Sequence, residues 1–577
     1  MRTLHEVRAE RATCVSRMRA RAVVVICAAA SLASCATTGT GAGGGVSVGS
    51  GALTNRSFGR ADERQRIGSF ASVQSVAVSR RFVYAATGGG IAIYDRLAES
   101  WMPPLTRDEG FFDQQITVMA GDPVEDALWI GVPGGVVIYR PQTQQLQRTI
   151  ITGVPDVIAF DRSGSGDAFV RAGGAWTRVS RVGMTLPSSG PPPANSLVLP
   201  RGLDAVYQQF PALRSQSALM FRTQQSDRPL RNANVVSGAA SPERASEVWL
   251  GTNGDGLFRV DPTFQQATSL PFGLIAPGAG ALAPSADGVW VAGLGVPSIR
   301  SGLTLASLDL QRWRWIEGTI NVPLIGMRTY GLVTRADRAW MATDRGVVRV
   351  KLDRSEAMIA WTMLDGLPDD RVYAVAARDD GAWVGTARGA AYITDSSDAR
   401  NPRTRGIGAR VLENTPVYAL QFTGDTLWMG TEGGLLALPT PSGVTGGTLS
   451  RPLGVDPALR RPVRALAWSD TVLLAATDDA VLALAPRGGR EPQRIDVLDT
   501  RLVGQVTRLA IDERTMWLAG TDGLVMTVRG TNAVRVLRVG LDLPGPALDV
   551  LLTRDWLWVA TPQGLMRFRR ASDGGLL

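Results

Sequence analysis

The stretch LDGLPDDRVYAVAARDDGAWVGTARGAAYI, residues 364–393, holds one complete structural period. Val372-Tyr373-Ala374-Val375-Ala376 is a short run rich in strand-forming residues, and Arg378-Asp379-Asp380-Gly381 follows as a turn in which Gly381 is free to take a positive φ. Ala382-Trp383-Val384-Gly385-Thr386 reads as a second strand, Ala387-Arg388-Gly389 as a second turn, and Ala390-Ala391-Tyr392-Ile393 as a third strand.

The second strand of this unit recurs along the chain. VYAATGGGI begins at Val83, LWIGVPGGV at Leu128, VWLGTNGDGL at Val248, AWMATDRGV at Ala339 and LWMGTEGGL at Leu427. LLAATDDAV begins at Leu473, MWLAGTDGL at Met516 and LWVATPQGL at Leu557. Weaker copies lie near Phe169–Trp176 and Val289–Gly295, which brings the count to eleven. From Thr343 the steps to Thr386, Thr431, Thr477, Thr521 and Thr561 are 43, 45, 46, 44 and 40 residues. Short strands at a period in the low forties define an all-β fold of four-stranded propeller blades. Single closed propellers have about 4–8 blades, so eleven predict two propellers. The simplest division falls near residue 326, giving repeats over 69–325 and 326–572.

Trp129, Trp249, Trp290, Trp340, Trp383, Trp428, Trp517 and Trp558 share one position of the repeat, filled by Tyr84 in the first copy. Packing between neighbouring blades is the expected role, ahead of an aromatic ligand platform. Gly131, Gly251, Gly385 and Gly430 also share a position, one that suits close backbone approach. The step between the third and fourth copies is about one blade too long. It contains Pro187-Ser188-Ser189-Gly190-Pro191-Pro192-Pro193, then Leu203, Val206, Tyr207, Phe210 and Leu213 at helical spacing. An insertion at about 187–230 is expected, helical over 195–222 and covering one face of the propeller; a degenerate twelfth blade is the alternative.

The strings at 364–393 and 127–139 (ALWIGVPGGVVIY) resemble the two-component regulator propeller repeat of periplasmic sensor regions. The resemblance implies a β-propeller, an extracytoplasmic location and recognition of a ligand or partner. No apolar run of membrane-spanning length follows the repeats, and Leu577 leaves no room for a kinase or DNA-binding module. Signal transduction by this chain alone is therefore not expected.

The N-terminus reads as an address. Arg17, Arg19 and Arg21 precede an apolar run from Ala22 to Ala30, too short to span a bilayer. Leu32-Ala33-Ser34-Cys35 follows and resembles the lipobox of bacterial lipoproteins, which implies lipidation at Cys35 and a signal peptide over 1–34. Met18 is an alternative start. Ala36 after the cysteine implies, by the same resemblance, sorting to the outer membrane on its periplasmic side. Residues 35–68 are expected to be a flexible tether, with the Gly/Ser/Thr-rich stretch 37–51 as its core.

Composition excludes several chemistries. Of 577 residues the only histidine is His5, and the only cysteines are Cys14, Cys27 and Cys35. Beyond Cys35 the chain therefore lacks a Ser-His-Asp triad, a cysteine nucleophile, disulfides and any His- or Cys-ligated metal. No cofactor is expected. The net charge is +9; residues 1–34 hold six arginines against two glutamates, so the remainder carries +5. Without a dense basic run, nucleic acid is not an expected partner. The adjacent pairs Asp369-Asp370, Asp379-Asp380 and Asp478-Asp479 sit in turns and point apart in extended chain, so they do not make an acid–base dyad. The expectation is a lipid-anchored, non-catalytic scaffold or sensor-like module, bound to the membrane and to an envelope protein or polymer, with no ligand-binding residue singled out. The propeller lipoprotein of the outer-membrane assembly machinery is similar in address and fold, though not in repeat signature. An extracytoplasmic propeller enzyme, a lyase or glycan hydrolase using carboxylate, Tyr or Arg, is the alternative.

Overall fold

The computed structural model describes residues 63–576 except 107–114, 162–165, 187–189, 199–201, 215–233, 245, 264–265, 297–300, 320, 354–355, 395–406, 441–447, 452–455, 470, 486–492 and 573. The described residues form eleven antiparallel sheets, nearly all four-stranded. Each is a blade, and the repeat unit of the sequence is its innermost three strands. In blade 7, Val372–Arg378, Gly381–Thr386 and Gly389–Thr394 pair in order, and Ile407–Val411 adds the outer strand. Gly381 does not take a positive φ; Gly389 does, at 132°.

The recurring frame is architectural. Trp129, Trp249, Trp340, Trp383, Trp517 and Trp558 are all less than 2% exposed. Each packs toward the blade that follows it around its ring. The glycine two residues later faces the first strand of that next blade. A Cβ on Gly385 would lie 2.8 Å from both the Val417 carbonyl oxygen and Val417 Cγ1. The threonine ties the hairpin: Thr343, Thr386, Thr431 and Thr561 donate from Oγ1 to the carbonyls of Gly346, Gly389, Gly434 and Gly564 at 2.7–2.8 Å.

Apolar clusters at every blade interface except that of blades 3 and 4, where the insertion lies, show how the rings are built. Blades 1–4 cover 73–105, 118–150, 155–198 and 235–270. Blade 1 packs on blade 2, blade 2 on blade 3, and blade 4 back on blade 1. Blades 5–11 start at Gly278, Thr329, Val372, Val417, Val463, Val506 and Asp549. They pack in sequence, and blade 11 returns to blade 5 through Trp558, Ala560 and Leu565 against Leu282, Val289 and Val291. The architecture is two propellers, of four and seven blades.

The expected division near residue 326 is therefore corrected. Blade 5 belongs to the second ring, and the crossover lies at 271–277, where Leu274 donates to Gly68 O at 3.0 Å and Gly273 takes φ 68°. The expected tether over 35–68 is also corrected at its end. Arg64–Ile67 is the outer strand of blade 11, in register with Phe568 to Leu565. The chain thus closes the seven-blade ring first, crosses at 68–72 to build the four-blade ring, and returns. Phe70, Trp101, Phe272 and Trp313 pack at this junction, with ring centroids 4.5–5.6 Å apart along the series.

Helix α1 (Gly202–Gln209) and a 3₁₀ turn (Pro211–Arg214) lie within the expected insertion. They do not sit over a propeller face as expected. Val206 and Leu213 are buried against Val248, Leu250, Phe258 and Val260 of blade 4. Helix α1 thus covers a flank of blade 4, while Leu197–Val198 pairs on the innermost strand of blade 3. No helix among the described residues is long and apolar enough to cross a membrane.

Candidate functional site

In most blades the innermost strand opens with a bulge. Register against the second strand shifts between Thr329 and Gly331, Val372 and Ala374, Val417 and Ala419, and Val463 and Ala465. The residue left unpaired in these four blades is Tyr330, Tyr373, Tyr418 and Arg464. A bulge frees one side chain from the alternation that would bury it between blades, and re-aims it. Here the four freed side chains meet at one mouth of the seven-blade ring.

They form a continuous arc. The rings of Tyr330 and Tyr373 are 5.8 Å apart at 71°, and those of Tyr373 and Tyr418 are 5.6 Å apart at 39°. Both geometries are favourable for aromatic pairs. The Arg464 guanidinium lies 4.4 Å from the Tyr418 ring centroid, and that of Arg328 lies 5.4 Å from the Tyr330 ring. All three tyrosines and Arg464 are half-buried.

The polar groups are largely committed. Tyr418 donates to Glu432 Oε2 at 2.6 Å, and Arg464 pairs with Asp478 at 3.3 Å and Glu432 at 3.7 Å. Burial, together with the hydrogen bond to Glu432, raises the Tyr418 phenol above its ordinary value against the opposing pull of Arg464. Burial likewise raises Tyr330. Asp369 balances Arg371 and Arg388 at 3.7 and 3.6 Å. The hydroxyls of Tyr330 and Tyr373 have no hydrogen-bond partner among the described residues. The surface is therefore aromatic and close to neutral, with two hydrogen-bonding hydroxyls to spare.

Below the arc, Arg508 of blade 10 reaches across to the Tyr330 carbonyl of blade 6 at 3.1 Å. It also pairs with Asp549 of blade 11 at 2.8 Å, and Asp549 accepts from the Leu282 backbone of blade 5 at 2.8 Å. One ion pair thus joins four blades across the ring. The four-blade ring holds a separate cavity of about 210 Å³, lined by Ser75, Thr117, Met119, Gly202 and Ala239, with no charged side chain among the described residues that line it.

The residues singled out from sequence are distributed differently. Cys35 lies outside the described residues, as do 187–189 and 215–233 of the insertion. The aspartate pairs are turn-builders and ion-pair partners. Asp369 and Asp370 accept from the backbone of Arg371 and Met363, Asp379 pairs with Arg335, and Asp478 and Asp479 pair with Arg464 and Arg461. Among the described residues no group of three or more His, Cys, Asp or Glu is placed to hold a metal ion. The tyrosine arc was not anticipated, although Thr329-Tyr330-Gly331-Leu332, Val372-Tyr373-Ala374-Val375 and Val417-Tyr418-Ala419-Leu420 carry its signal in three successive repeats.

The fold and this mouth define the class: a tandem β-propeller with an arc of tyrosines at one mouth of its larger ring. No protein-family model and no curated protein matches the chain. Among solved structures it is similar to PorZ, described as a bacterial surface component of the type-IX secretion system of Porphyromonas gingivalis. Identity is 12%, the TM-score 0.48, and the match covers 88% of this chain and 87% of that one. The extracellular domain of a hybrid two-component system protein of B. thetaiotaomicron, BT3049, is similar at 12% identity and TM-score 0.28, over 86% of this chain and 68% of that one. Virginiamycin B lyase from Staphylococcus aureus is similar at 11% identity and TM-score 0.39, over 51% of this chain and 96% of the lyase.

Proposed function

We propose that the chain is a recognition scaffold of the bacterial envelope, lipid-anchored through Cys35 at the outer membrane and facing the periplasm. It captures an envelope protein or polymer at the mouth of the seven-blade ring and performs no catalysis of its own. The observation that supports this is the arc Arg328–Tyr330–Tyr373–Tyr418–Arg464. It is built on bulges of rigid strands and presents flat apolar faces together with two uncommitted hydroxyls. Preorganised aromatic side chains of this kind carry binding at little entropic cost. The address supports the location, since a lipobox-like Leu32-Ala33-Ser34-Cys35 follows a basic and apolar leader.

The test is photo-crosslinking in whole cells from a reactive side chain at position 373, compared with one at Asp425, which is exposed in a turn at the opposite end of blade 8. Discrete adducts from 373 and none from 425 are expected. Equal yields from both would overturn the assignment of the mouth. Turnover of a glycan or lactone by the purified protein, lost when one carboxylate is replaced, would overturn the non-catalytic reading.

A further inference from the structure

We infer that the flank formed by the outer strands of blades 10 and 11 docks on an anionic lipid surface. The inference rests on the reading of Cys35 as a lipid anchor and goes beyond it: the acyl chains attach the protein, and this flank sets how it lies. Three observations converge there.

The first is uncompensated charge. Arg64 and Arg66 stand opposite Phe568 and Met566 in blade 11, and Arg535 stands opposite Met526 in blade 10. Phe568, Met566 and Met526 all belong to the apolar cluster between these two blades. Directly opposed residues share a face of the sheet, so Arg64 and Arg66 lean toward blade 10 and Arg535 leans toward blade 11. Each of these guanidinium groups, and that of Arg514, donates to a main-chain carbonyl. Arg64 bonds to Leu541 at 3.5 Å, Arg66 to Gln563 at 3.2 Å, Arg535 to Leu576 at 2.6 Å, and Arg514 to Ser572. A carbonyl holds a guanidinium in place and leaves its charge standing. All four arginines are exposed, and none has a carboxylate partner among the described residues. Elsewhere in the ring Arg335, Arg464, Arg508 and Arg570 are paired with aspartates. Glu513 beside Arg514 is exposed, and Asp542 beside Leu541 is half-buried and accepts from the Arg538 backbone. Four arginines outnumber these two carboxylates.

The second is exposed apolar surface. Val534, 43% exposed, opens the outer strand of blade 10 immediately before Arg535, and Leu541, 74% exposed, supplies the carbonyl that holds Arg64. Apolar side chains interleaved with cations suit a bilayer interface, where the first enter the headgroup layer and the second stay with the phosphates.

The third is position. The described chain begins at Glu63, so the segment that leads from Cys35 reaches the fold at Arg64, within this flank. A bilayer that holds Cys35 is presented to this side of the ring, and linkage makes contacts effective that are weak in free solution. Salt screens such contacts, so attachment stays with the anchor and orientation with the flank. The tyrosine arc lies on blades 6 to 8, across the ring from blades 10 and 11, and is left clear of the bilayer.

The experiment is co-sedimentation with lipid vesicles in low-salt buffer. It uses the purified mature chain carrying Cys35→Ser, so that no acyl chain contributes. Vesicles of equal phosphatidylglycerol and phosphatidylcholine are compared with vesicles of phosphatidylcholine alone. Binding to the anionic vesicles and none to the neutral ones is expected, and it should weaken as salt rises. An arginine at an anionic surface contributes about a fivefold gain in partitioning, so Arg64→Gln with Arg535→Gln should weaken binding about 25-fold. Arg410→Gln with Arg451→Gln, exposed beside blades 7 and 8 across the ring, should leave it within about twofold. Thermal unfolding checks that the ring is intact. If Arg64→Gln loosens the closing strand, Arg535→Gln alone should still weaken binding about fivefold. Equal binding to both kinds of vesicle, binding to neither, or an equal loss from the control pair would overturn the inference. So would binding to soluble polyphosphate with none to the vesicles. Mass spectrometry of the parent at Cys35 tests the anchor separately. Acyl chains there without vesicle binding by the variant remove the docked flank and leave the anchor standing; the reverse pair of results keeps the flank and removes the anchor.

Discussion

Replacing Asp549 by alanine tests how the seven-blade ring is closed. Its carboxylate is buried, with 7% of the side chain exposed, and it holds two partners from different blades: Arg508 Nε at 2.8 Å and the Leu282 N–H at 2.8 Å. Removing it strands a buried backbone donor, which costs about 1–3 kcal/mol. It also leaves Arg508 without its counter-charge, for which breaking a buried pair costs about 3–5 kcal/mol. Arg508 is 27% exposed and keeps the Tyr330 carbonyl, so the low end applies. The expected loss is about 4 kcal/mol in all, or about 8 °C for a unit of this size. The double variant Arg508→Met, Asp549→Leu removes both charges and should recover the ion-pair part of this loss, leaving only that of the stranded Leu282 N–H, about 1–3 kcal/mol. Two rings need not unfold together, so the assay is hydrogen exchange read by mass spectrometry, strand by strand. Protection should fall over 278–294 and 556–569 and hold over 73–270. The reasoning fails if the two single substitutions add in the double variant, or if both rings lose protection equally.

Gly385→Val should destabilise blades 7 and 8 by a few kcal/mol, because its Cβ meets Val417 backbone and side chain at 2.8 Å; denaturant melts check this. The Asp512 carboxyl is pushed up by burial, but backbone donors at Thr515 and Arg514 and the Arg570 charge outweigh this and hold it below the ordinary value. A depressed carboxyl stabilises the fold above its unfolded pKa of about 4, and that contribution is lost as pH falls through the folded value. Asp512→Asn should therefore lower stability at pH 7 and flatten the acid limb of a Tm–pH profile below about pH 4. Cys35→Ser should move the protein from the membrane to the soluble fraction, and mass spectrometry of the parent should find acyl chains on Cys35 at the mature N-terminus.

The blades were legible because the information for each is local. Trp383, Gly385 and Thr386 have fixed jobs within one repeat and its neighbour, so the same letters return at each turn of the ring. The partition into rings is not local. Blade 5 carries the same frame as its neighbours, and nothing within Gly278–Leu294 says whether its other face meets blade 4 or blade 11. The answer depends on Arg64–Ile67, four residues whose partners lie some five hundred positions away. So short a strand gives almost no periodic signal. The tyrosines were hidden for another reason. In a strictly alternating strand, Tyr373 belongs with the residues that face a neighbouring blade. Only the register shift between Val372 and Ala374 removes it from that set, and a bulge changes pairing without changing the letters.

Uniform apolar repeats raise a problem of their own: any blade could pack on any other with similar energy. Sequence neighbours other than blades 3 and 4 are protected by short connections. The two seams that join the ends of a ring are not, and at each a buried charged side chain bonds across the seam. In the four-blade ring Arg96 of blade 1 meets Glu247 and Ser241 beside blade 4, with side chains 5% and 10% exposed for the charged partners. In the seven-blade ring Asp549 joins Arg508 to the first strand of blade 5. Buried pairs contribute little net stability compared with apolar packing, but a mispaired blade would leave one charge buried and alone, at several kcal/mol. The charges at the seams therefore act on the choice between arrangements more than on the stability of either one. They disfavour arrangements that would leave these charges buried without their partners. That choice also builds the mouth: the partner that anchors Arg508 across the channel is the backbone of Tyr330, so the closure of the ring and the placement of its tyrosine arc are fixed by the same side chain.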